Sequence, residues 1–367
     1  MKFNLTSVFV ASFILFIMGC KAEPQFPVRA LKAKDTTLVK RWSQRKLRQL
    51  ALGQRFSLMN GQVFAKGLHY DSLFILGINS QRNYSVANLK KRFPSKTINI
   101  NKIKFISDSV ILAYNRSDRT LIKWDVRSDT LIKRFFFDPG HYKVGDLTSP
   151  ATMPFSLYGD SLVMNASEPG TNTIKSLRKL FSSAQLGLMV IQDSTFKMIK
   201  RFGHYPSEFQ KSFFGVSFIY WDRLSREKFV ISFPHSSKIY SLDISNNKII
   251  DSADLKPDYP TLKVPYNAKS PAIVRRMSSK FIRNNPSYYA LIRLNNKRYA
   301  RFANIPFKED SLRSELLLYD KKFELLDRIQ IPFTVEGLLI EDGAIYFLTS
   351  NKNTLKLVKY NGGQYKD

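Results

Sequence analysis

Four stretches of this chain repeat one local plan: a short apolar strand, a polar turn that starts at Asp, and a second apolar strand. LIKWDVRSDTLI from Leu121 aligns without gaps with IYSLDISNNKII from Ile239, and looser copies run as LMVIQDSTFKMI from Leu188 and LLLYDKKFELL from Leu316. The turns Val126-Arg127-Ser128-Asp129 and Ile244-Ser245-Asn246-Asn247 supply the Asp, Asn and Ser side chains that tolerate tight backbone geometry. Connections this short exclude parallel crossovers, which need a dozen residues or more, so the strands must pair antiparallel with their sequence neighbours.

A second signal accompanies the first. Asp followed by Ser or Gly opens an apolar strand at Asp71-Ser72, Asp108-Ser109, Asp160-Ser161 and Asp342-Gly343, while strands end on a large residue and Asp or Asn at Trp124-Asp125, Leu242-Asp243, Tyr319-Asp320 and Tyr360-Asn361. The distance from Asp71 to Asn88 equals that from Asp108 to Asp125, 17 residues. Together the signals mark six units starting near Tyr70, Ile106, Tyr158, Glu227, Ser287 and Glu341. Units of about 40 to 50 residues made of four antiparallel strands are propeller blades. The expected fold is all-β, a six-bladed β-propeller of four-stranded antiparallel blades with one or two short helical insertions.

The last unit runs out of chain soon after Tyr360, so its outermost strand is expected from the start of the folded region, within Phe26 to Leu38. A blade shared between the termini closes the ring and hides two sheet edges. Two segments interrupt the repeat, Asn165 to Gln185 and Lys256 to Pro286. In the second, Ser270-Pro271 reads as an N-cap and first-turn proline, and Ile273, Val274, Met277 and Phe281 fall on one helical face. Leu38, Trp42, Lys46 and Leu50, at four-residue spacing, give a second expected helix over Thr36 to Leu50.

The first twenty residues carry an address. A single charge at Lys2 precedes a stretch from Leu5 to Met18 without charged side chains, which ends at Gly19-Cys20. The order basic, apolar, small is that of a secretory signal, and the run is shorter than the roughly 20 apolar residues of a membrane span. Ile17-Met18-Gly19-Cys20 resembles the bacterial lipobox. That resemblance implies cleavage after Gly19 and a lipid on Cys20, with two or three acyl chains giving stable anchoring. The expected organisation is a signal over 1–19, an anchor and linker over 20–35 that includes the closing strand, and the propeller over 36–367. Cys20 is the only cysteine, so a chain lipidated there holds no thiol for disulfides or cysteine metal clusters.

Charge enters through this address. The chain has 58 Lys and Arg against 29 Asp and Glu, a formal net charge of +29. Such an excess raises the question of nucleic acid, but an exported lipoprotein meets anionic headgroups, phosphorylated glycolipids and acidic polysaccharides instead. No nucleic-acid partner is expected. The densest clusters are Lys40, Arg41, Arg45, Lys46 and Arg48, then Lys90, Lys91 and Arg92, then Arg275, Arg276, Lys280 and Arg283. Two readings stand for them, solvated faces or contact with an anionic surface.

The lipobox, the blade-like repeat and the segment Phe202-Gly203-His204-Tyr205-Pro206-Ser207-Glu208-Phe209 together resemble the TolB-like six-bladed propeller lipoproteins of Bacteroidetes, most closely a family of unknown function. Members carry a Gly-x-x-Pro-Gly-Glu-Phe loop after a blade, and Ser207 stands here where Gly is commoner. The resemblance implies a fold and a location in the outer membrane and brings no catalytic residues with it; Lys21-Ala22-Glu23-Pro24 lacks the acidic cluster that resembles a surface-export tag, so the periplasmic side is expected.

Enzyme signatures are absent from the sequence. His69, His141, His204 and His235 have no metal-ligand spacing, and no G-x-S-x-G elbow occurs. The S-x-x-K matches at Ser43 and Ser176 lack their companion motifs. Asp71, Asp108, Asp160 and Asp342 recur at strand openings as turn residues rather than as catalytic carboxylates. No catalytic residue, metal or cofactor is expected. The functional expectation is an envelope protein held to the membrane by its lipid, which recognises a glycan, peptide or envelope protein through a propeller face; the alternative is a glycan lyase or hydrolase with a site on the propeller axis. Cys20→Ala is expected to move the protein from the membrane to the soluble fraction, and intact mass of the wild-type protein is expected to show acyl chains on an N-terminal Cys20. An unmodified thiol there would contradict the lipobox reading.

Overall fold

The computed structural model describes residues 29–32, 36–43, 56–59, 62–66, 72–77, 85–88, 100–107, 109–145, 147, 156–166, 182–206, 212–213, 219–234, 236–246, 248–253, 264–265, 285–295, 297–307, 311–333, 335, 337–341, 344–351 and 354–361. The chain begins with β1 (Arg29–Ala30) and β2 (Thr36–Ser43). The first four-stranded sheet is β3 (Phe56–Met59), β4 (Gln62–Lys66), β5 (Ser72–Gly77) and β6 (Ser85–Asn88). The second is β7 (Ile100–Phe105), β8 (Val110–Asn115), β9 (Thr120–Asp125) and β10 (Thr130–Asp138), and the third is β11 (Ser156–Tyr158), β12 (Ser161–Asn165), β13 (Leu186–Gln192) and β14 (Thr195–Phe202). After β15 (Ser212–Phe213) the fourth comprises β16 (Tyr220–Arg223), β17 (Lys228–Ser232), β18 (Ile239–Asp243) and β19 (Lys248–Ala253). β20 (Val264–Pro265) pairs back onto β15. The fifth sheet is β21 (Ser287–Asn295), β22 (Arg298–Phe307), β23 (Ser311–Asp320) and β24 (Leu325–Ile331), and the sixth is β25 (Gly337–Glu341), β26 (Ala344–Asn351) and β27 (Thr354–Tyr360), completed by β2.

Within each of the six sheets every pairing is antiparallel between neighbours in the meander. First strands lie together, β3 beside β7 and β16 beside β21, and β25 of the last sheet lies beside β3 of the first. Fourth strands meet differently. The end of β10 pairs in parallel with the start of β14, Phe136 opposite Thr195 and Asp138 opposite Lys197. Arg29 and Ala30 pair in the same parallel sense with Ile329 and Gln330 near the end of β24. Such pairing occupies backbone groups that an outer strand would otherwise expose.

The N-terminal contribution to the last sheet was expected within Phe26 to Leu38; β2 supplies it at Thr36–Ser43, with Thr36 opposite Tyr360 and Ser43 opposite Thr354. The same strand overturns the helix expected over Thr36 to Leu50. Pairing of β2 with β27, which includes a bulge between Leu38 and Lys40, outweighs the weak local preference that the four-residue spacing expressed. The rest of that segment, and the helix expected after Ser270, lie outside the described residues. Of the expected unit starts only Ser287 opens a first strand; those near Ile106, Tyr158, Glu227 and Glu341 fall at or just after the end of β7, β11, β16 and β25, and the one near Tyr70 is also corrected. The first sheet begins at Phe56, and Ser72 opens its third strand rather than a second. The equal spacings from Asp71 and Asp108 therefore join different strands.

The four repeated segments are all third strand, turn and fourth strand. In three of them the Asp caps the turn. Asp125 Oδ1 accepts the backbone N–H of Arg127 at 2.9 Å and of Ser128 at 3.3 Å. Asp243 Oδ1 accepts that of Ser245 at 2.9 Å together with the Ser245 hydroxyl, and Asp320 Oδ1 accepts those of Lys322 and Glu324, both at 2.8 Å. Asn361 follows β27 where no fourth strand follows in sequence, and its side chain bonds across the seam instead. Its Nδ2 donates to Thr37 Oγ1 at 2.9 Å.

Hydrophobic cores fill the spaces between neighbouring sheets. Phe202, Tyr205, Phe229, Tyr240 and Tyr319 belong to a cluster that runs from the third sheet through the fourth to the fifth, and Leu31 joins Phe302, Leu316, Phe347 and Tyr360 between the fifth and sixth. Arg301 is fully buried in β22. Its guanidinium donates to the carbonyls of Phe233 and Ser236 at 2.8 Å and lies 4.0 Å from the centroid of the Tyr288 ring, fastening the fifth sheet to the fourth. Glu315, also fully buried, takes Arg328 at 3.0 Å and Arg313 at 2.7 Å.

Hydrogen bonding to Ser245 holds the Asp243 carboxyl below its ordinary range, and the backbone N–H of Arg127 does the same for Asp125. A carboxyl depressed in the folded state contributes stability above its unfolded value of about 3.9, and that contribution is lost as pH falls through the folded value. Asp243→Ala is accordingly expected to lower the melting temperature at neutral pH, with the gap from wild type narrowing in acid, while Asp243→Asn keeps most of the turn. Arg301→Met leaves the carbonyls of Phe233 and Ser236 without their donor and is expected to cost about 1–3 kcal/mol in denaturant unfolding.

Candidate functional site

Inner strands in stacked sheets are flanked on both faces, so charged side chains there need a reason. Four of the first strands carry charged residues near their ends, and Glu341 closes β25. Lys104 is the penultimate residue of β7, Asp222 and Arg223 close β16, and Arg293 lies two residues from the end of β21. Each precedes the hairpin to the second strand of its sheet, so all four sit at one end of the strand assembly.

Asp222 is the hub. Its Oδ2 lies 3.5 Å from Arg293 Nε, and its Oδ1 accepts the Arg223 backbone N–H at 2.8 Å. Burial raises the Asp222 carboxyl above its ordinary range, against the pull of Arg293 and of Lys104. Lys104 is lowered by burial, with Asp222 opposing that shift and Arg223 adding to it. Tyr299, opposite Arg293 in the β21–β22 ladder, is raised by burial and by the same carboxylate. Lys104 belongs to the second sheet, Asp222 to the fourth and Arg293 to the fifth.

Successive side chains of a strand point to opposite sides, and Arg223 turns the other way from Asp222. Its guanidinium donates to the carbonyls of Ser225 at 3.1 Å, Arg226 at 2.9 Å and Ser161 at 3.4 Å. It also sits 4.9 Å from the centroid of the Tyr158 ring. Tyr158, the last residue of β11, is 56% exposed although it ends an inner strand. The site thus has two parts on either side of β16, an open aromatic ring backed by a cation and a carboxylate shared by two further cations.

Sequence reasoning did not single out these residues. The available signal was a charged residue near the end of several first strands, and it was obscured because strand order within a unit could not be read. Of the basic residues that were singled out, Lys40 and Arg41 lie in β2, where Arg41 stands opposite Lys356 and Lys40 opposite Leu357. Arg45, Lys46, Arg48, Arg275, Arg276, Lys280 and the lipid attachment residue Cys20 lie outside the described residues. His204 is exposed and lowered by partial burial and by Arg201, and the His141 ring packs on Tyr142 with centroids 4.0 Å apart. Gly203 of the Phe202–Phe209 segment has φ +73°, where a side chain would be strained, and the next buried ring, Tyr205, packs 4.9 Å from Phe233. That part of the segment is a sheet-to-sheet connection. Among the described residues no group of His, Cys, Asp and Glu is arranged to hold a metal, and no helix is long and apolar enough to cross a membrane.

Asp222 is expected to titrate above the usual carboxylate range in carboxyl-detected NMR. Arg293→Met, which removes an opposing cation, is expected to raise it further; a downward movement would contradict the arrangement.

No family model and no curated protein matches the sequence. Solved structures do. A protein provisionally described as exported, from Bacteroides fragilis, is 12% identical, with 91% of this chain and 94% of that one covered at a TM-score of 0.48. BamB from Moraxella catarrhalis is 10% identical over 89% of this chain and all of its own, at 0.40. The Cps50 (Swd1) β-propeller domain from Myceliophteria thermophila is 9% identical over 84% and 96%, at 0.43. Likeness at this level carries no argument about activity or ligand.

Proposed function

We propose that the six sheets are the blades of a closed six-bladed β-propeller, that Cys20 anchors it by lipid to the periplasmic side of the outer membrane, and that it binds a glycan, peptide or envelope protein at the end of the ring that carries Asp222. The anchor rests on the lipobox and the signal that precedes it. Ring closure is supported by the contact of β25 with β3 and by the completion of the last sheet from the N-terminal side. The TolB-like lipoproteins that the sequence resembles agree with both.

One observation carries the functional part. Charged side chains from the second, fourth and fifth sheets converge at the ends of their first strands, beside an exposed tyrosine from the third. Loops and strand ends gathered from several repeats around one centre form a binding face in propellers. The basic residues Lys40, Arg41 and Lys356 at the outer seam would add a salt-sensitive attraction to an anionic envelope surface.

A lyase or hydrolase at the same place is the rival. Glycosidases of the common kind need two carboxylates about 5–10 Å apart, whereas the described part of this cluster holds one, and it is paired with Arg293. The soluble form starting at Lys21, passed over immobilised envelope polysaccharides, is expected to retain a defined species. Combining Tyr158→Ala with Arg293→Met should weaken that retention about tenfold or more, and Lys40→Glu with Arg41→Glu should matter only at low salt. Retention that ignores the Tyr158 and Arg293 changes would move the site elsewhere, and a cleaved glycan would replace binding by catalysis.

A further inference from the structure

Leu38 and Arg41 are three residues apart in β2, a spacing that puts side chains on opposite sides of a regular strand. The bulge between Leu38 and Lys40 adds one residue to β2 and brings the two to the same side. Their partners in β27 follow the same alternation. Leu38 stands opposite Val358 and Arg41 opposite Lys356, while Leu355 and Leu357, on the other side of β27, are buried. Leu38 is 50% exposed and Arg41 is exposed too, whereas Tyr360, farther along the side that carries Lys356 and Val358, is buried in the core between the fifth and sixth sheets. The side of the sixth sheet that begins in this core therefore ends in an open patch that joins a leucine to two cations.

Like charges directly opposite in a ladder destabilise it, and the register that pairs Leu38 with Val358 holds Arg41 against Lys356. An external anion relieves that repulsion. Leu38 selects among anions, because a small soluble anion leaves the leucine in water while a bilayer takes it up. Arginine and lysine suit such a surface, since their stems lie along apolar neighbours while their charges reach headgroups.

The chain that leads back to the expected anchor arrives on this side. Leu31 packs in the core that also takes Tyr360, and Arg29 and Ala30 run along β24. Arg29 is nine residues after Cys20, and a chain of that length spans at most about 30 Å. A lipid on Cys20 would keep the patch within that distance of the bilayer, where tethering populates contacts too weak to form in free solution.

Resting on the reading of Cys20 as the anchor and of this seam as attracted to anionic surfaces, we infer that the side of the sixth sheet around Leu38, Arg41 and Lys356 lies on the bilayer that holds the anchor, with the two cations at anionic lipid headgroups and Leu38 in the interface. β2 is the outermost strand of its sheet, so in the proposed ring the rim rests on lipid and the end that carries Asp222 stays open to another ligand.

The test uses the soluble form starting at Lys21, which keeps every described residue, with vesicles of equal parts phosphatidylethanolamine and phosphatidylglycerol beside vesicles in which phosphatidylcholine replaces the phosphatidylglycerol. The protein is expected to sediment with the anionic vesicles and to stay in solution with the neutral ones. Arg41→Glu and Lys356→Glu should each weaken the binding about fivefold or more, and Arg41→Gln should weaken it less than the reversal does. A polarity-sensitive dye on a cysteine placed at Leu38 is expected to brighten on the anionic vesicles, while the same dye at Leu131, exposed on the outer strand of the second sheet, stays dim. Unfolding curves of every variant identify a loss that comes from misfolding, and the two dye-labelled forms keep all charges in place. Indifference to phosphatidylglycerol, indifference to both charge reversals, a dim dye at Leu38 or an equal response from Leu131 would overturn the inference. The anchor is judged separately by release of Cys20→Ala from the membrane, and the attraction of the seam by low-salt retention of polysaccharide, so either can stand where lipid docking fails.

Discussion

A small antiparallel sheet has two edges, and each presents a row of backbone donors and acceptors that must be paired, covered or left to water. Everything distinctive in this fold follows from how those edges are occupied. The last sheet has only three strands of its own, and β2 from the other end of the chain completes it along eight residues of β2, with the side chains of Thr37 and Asn361 joined across the seam. Short parallel pairings do the same work between outer strands, β10 with β14 and β24 with β1. In both cases the late part of one fourth strand meets the early part of the next, and the segment around Arg29 leads directly into β2.

Occupied edges let the spaces between sheets be packed, and they also change what the positive charge is for. Arg301 and Arg223 are buried without a carboxylate against their guanidinium groups; backbone carbonyls of the adjoining sheet and aromatic faces take their donors. Glu315 serves two arginines at once. Arginine suits such positions because its planar fork donates in several directions and is less strongly hydrated than an ammonium. Part of the large excess of Lys and Arg is therefore structural. At the ends of β16 and β21 a half-buried carboxylate, Asp222, instead faces Arg293 of the neighbouring sheet at 3.5 Å.

The sequence was most legible where local chemistry alone decides the outcome. The third and fourth strands of four sheets could be found because an Asp must sit at the start of their connecting turn, and Asp125, Asp243 and Asp320 do cap it. Phasing was readable only at Ser287, which opens β21; the starts near Ile106, Tyr158, Glu227 and Glu341 fall at the end of a first strand or just after it, and Ser72 opens a third strand, because the Asp-Ser and Asp-Gly signals mark a hairpin inside the unit rather than its beginning. The strand at Thr36–Ser43 is fixed by a partner more than three hundred residues away, which no window of local sequence contains. Lys104, Asp222 and Arg293 are similarly invisible, since their meaning arises only when the second, fourth and fifth sheets share a centre. Phe323 is a further case, a buried aromatic at φ +65° held by its stacking on Tyr299 and by the Asp320 turn.

Completion of the last sheet by the N-terminal strand is the claim on which the proposed ring, and with it the proposed binding end, depends. Cysteines placed at Thr37 and Lys359, cross-strand partners in β2 and β27, test it in the soluble form starting at Lys21, which has no other thiol. The account predicts an intramolecular disulfide under mild oxidation, with a melting temperature above that of the reduced protein. Free thiols, or a disulfide formed only between molecules, would contradict it.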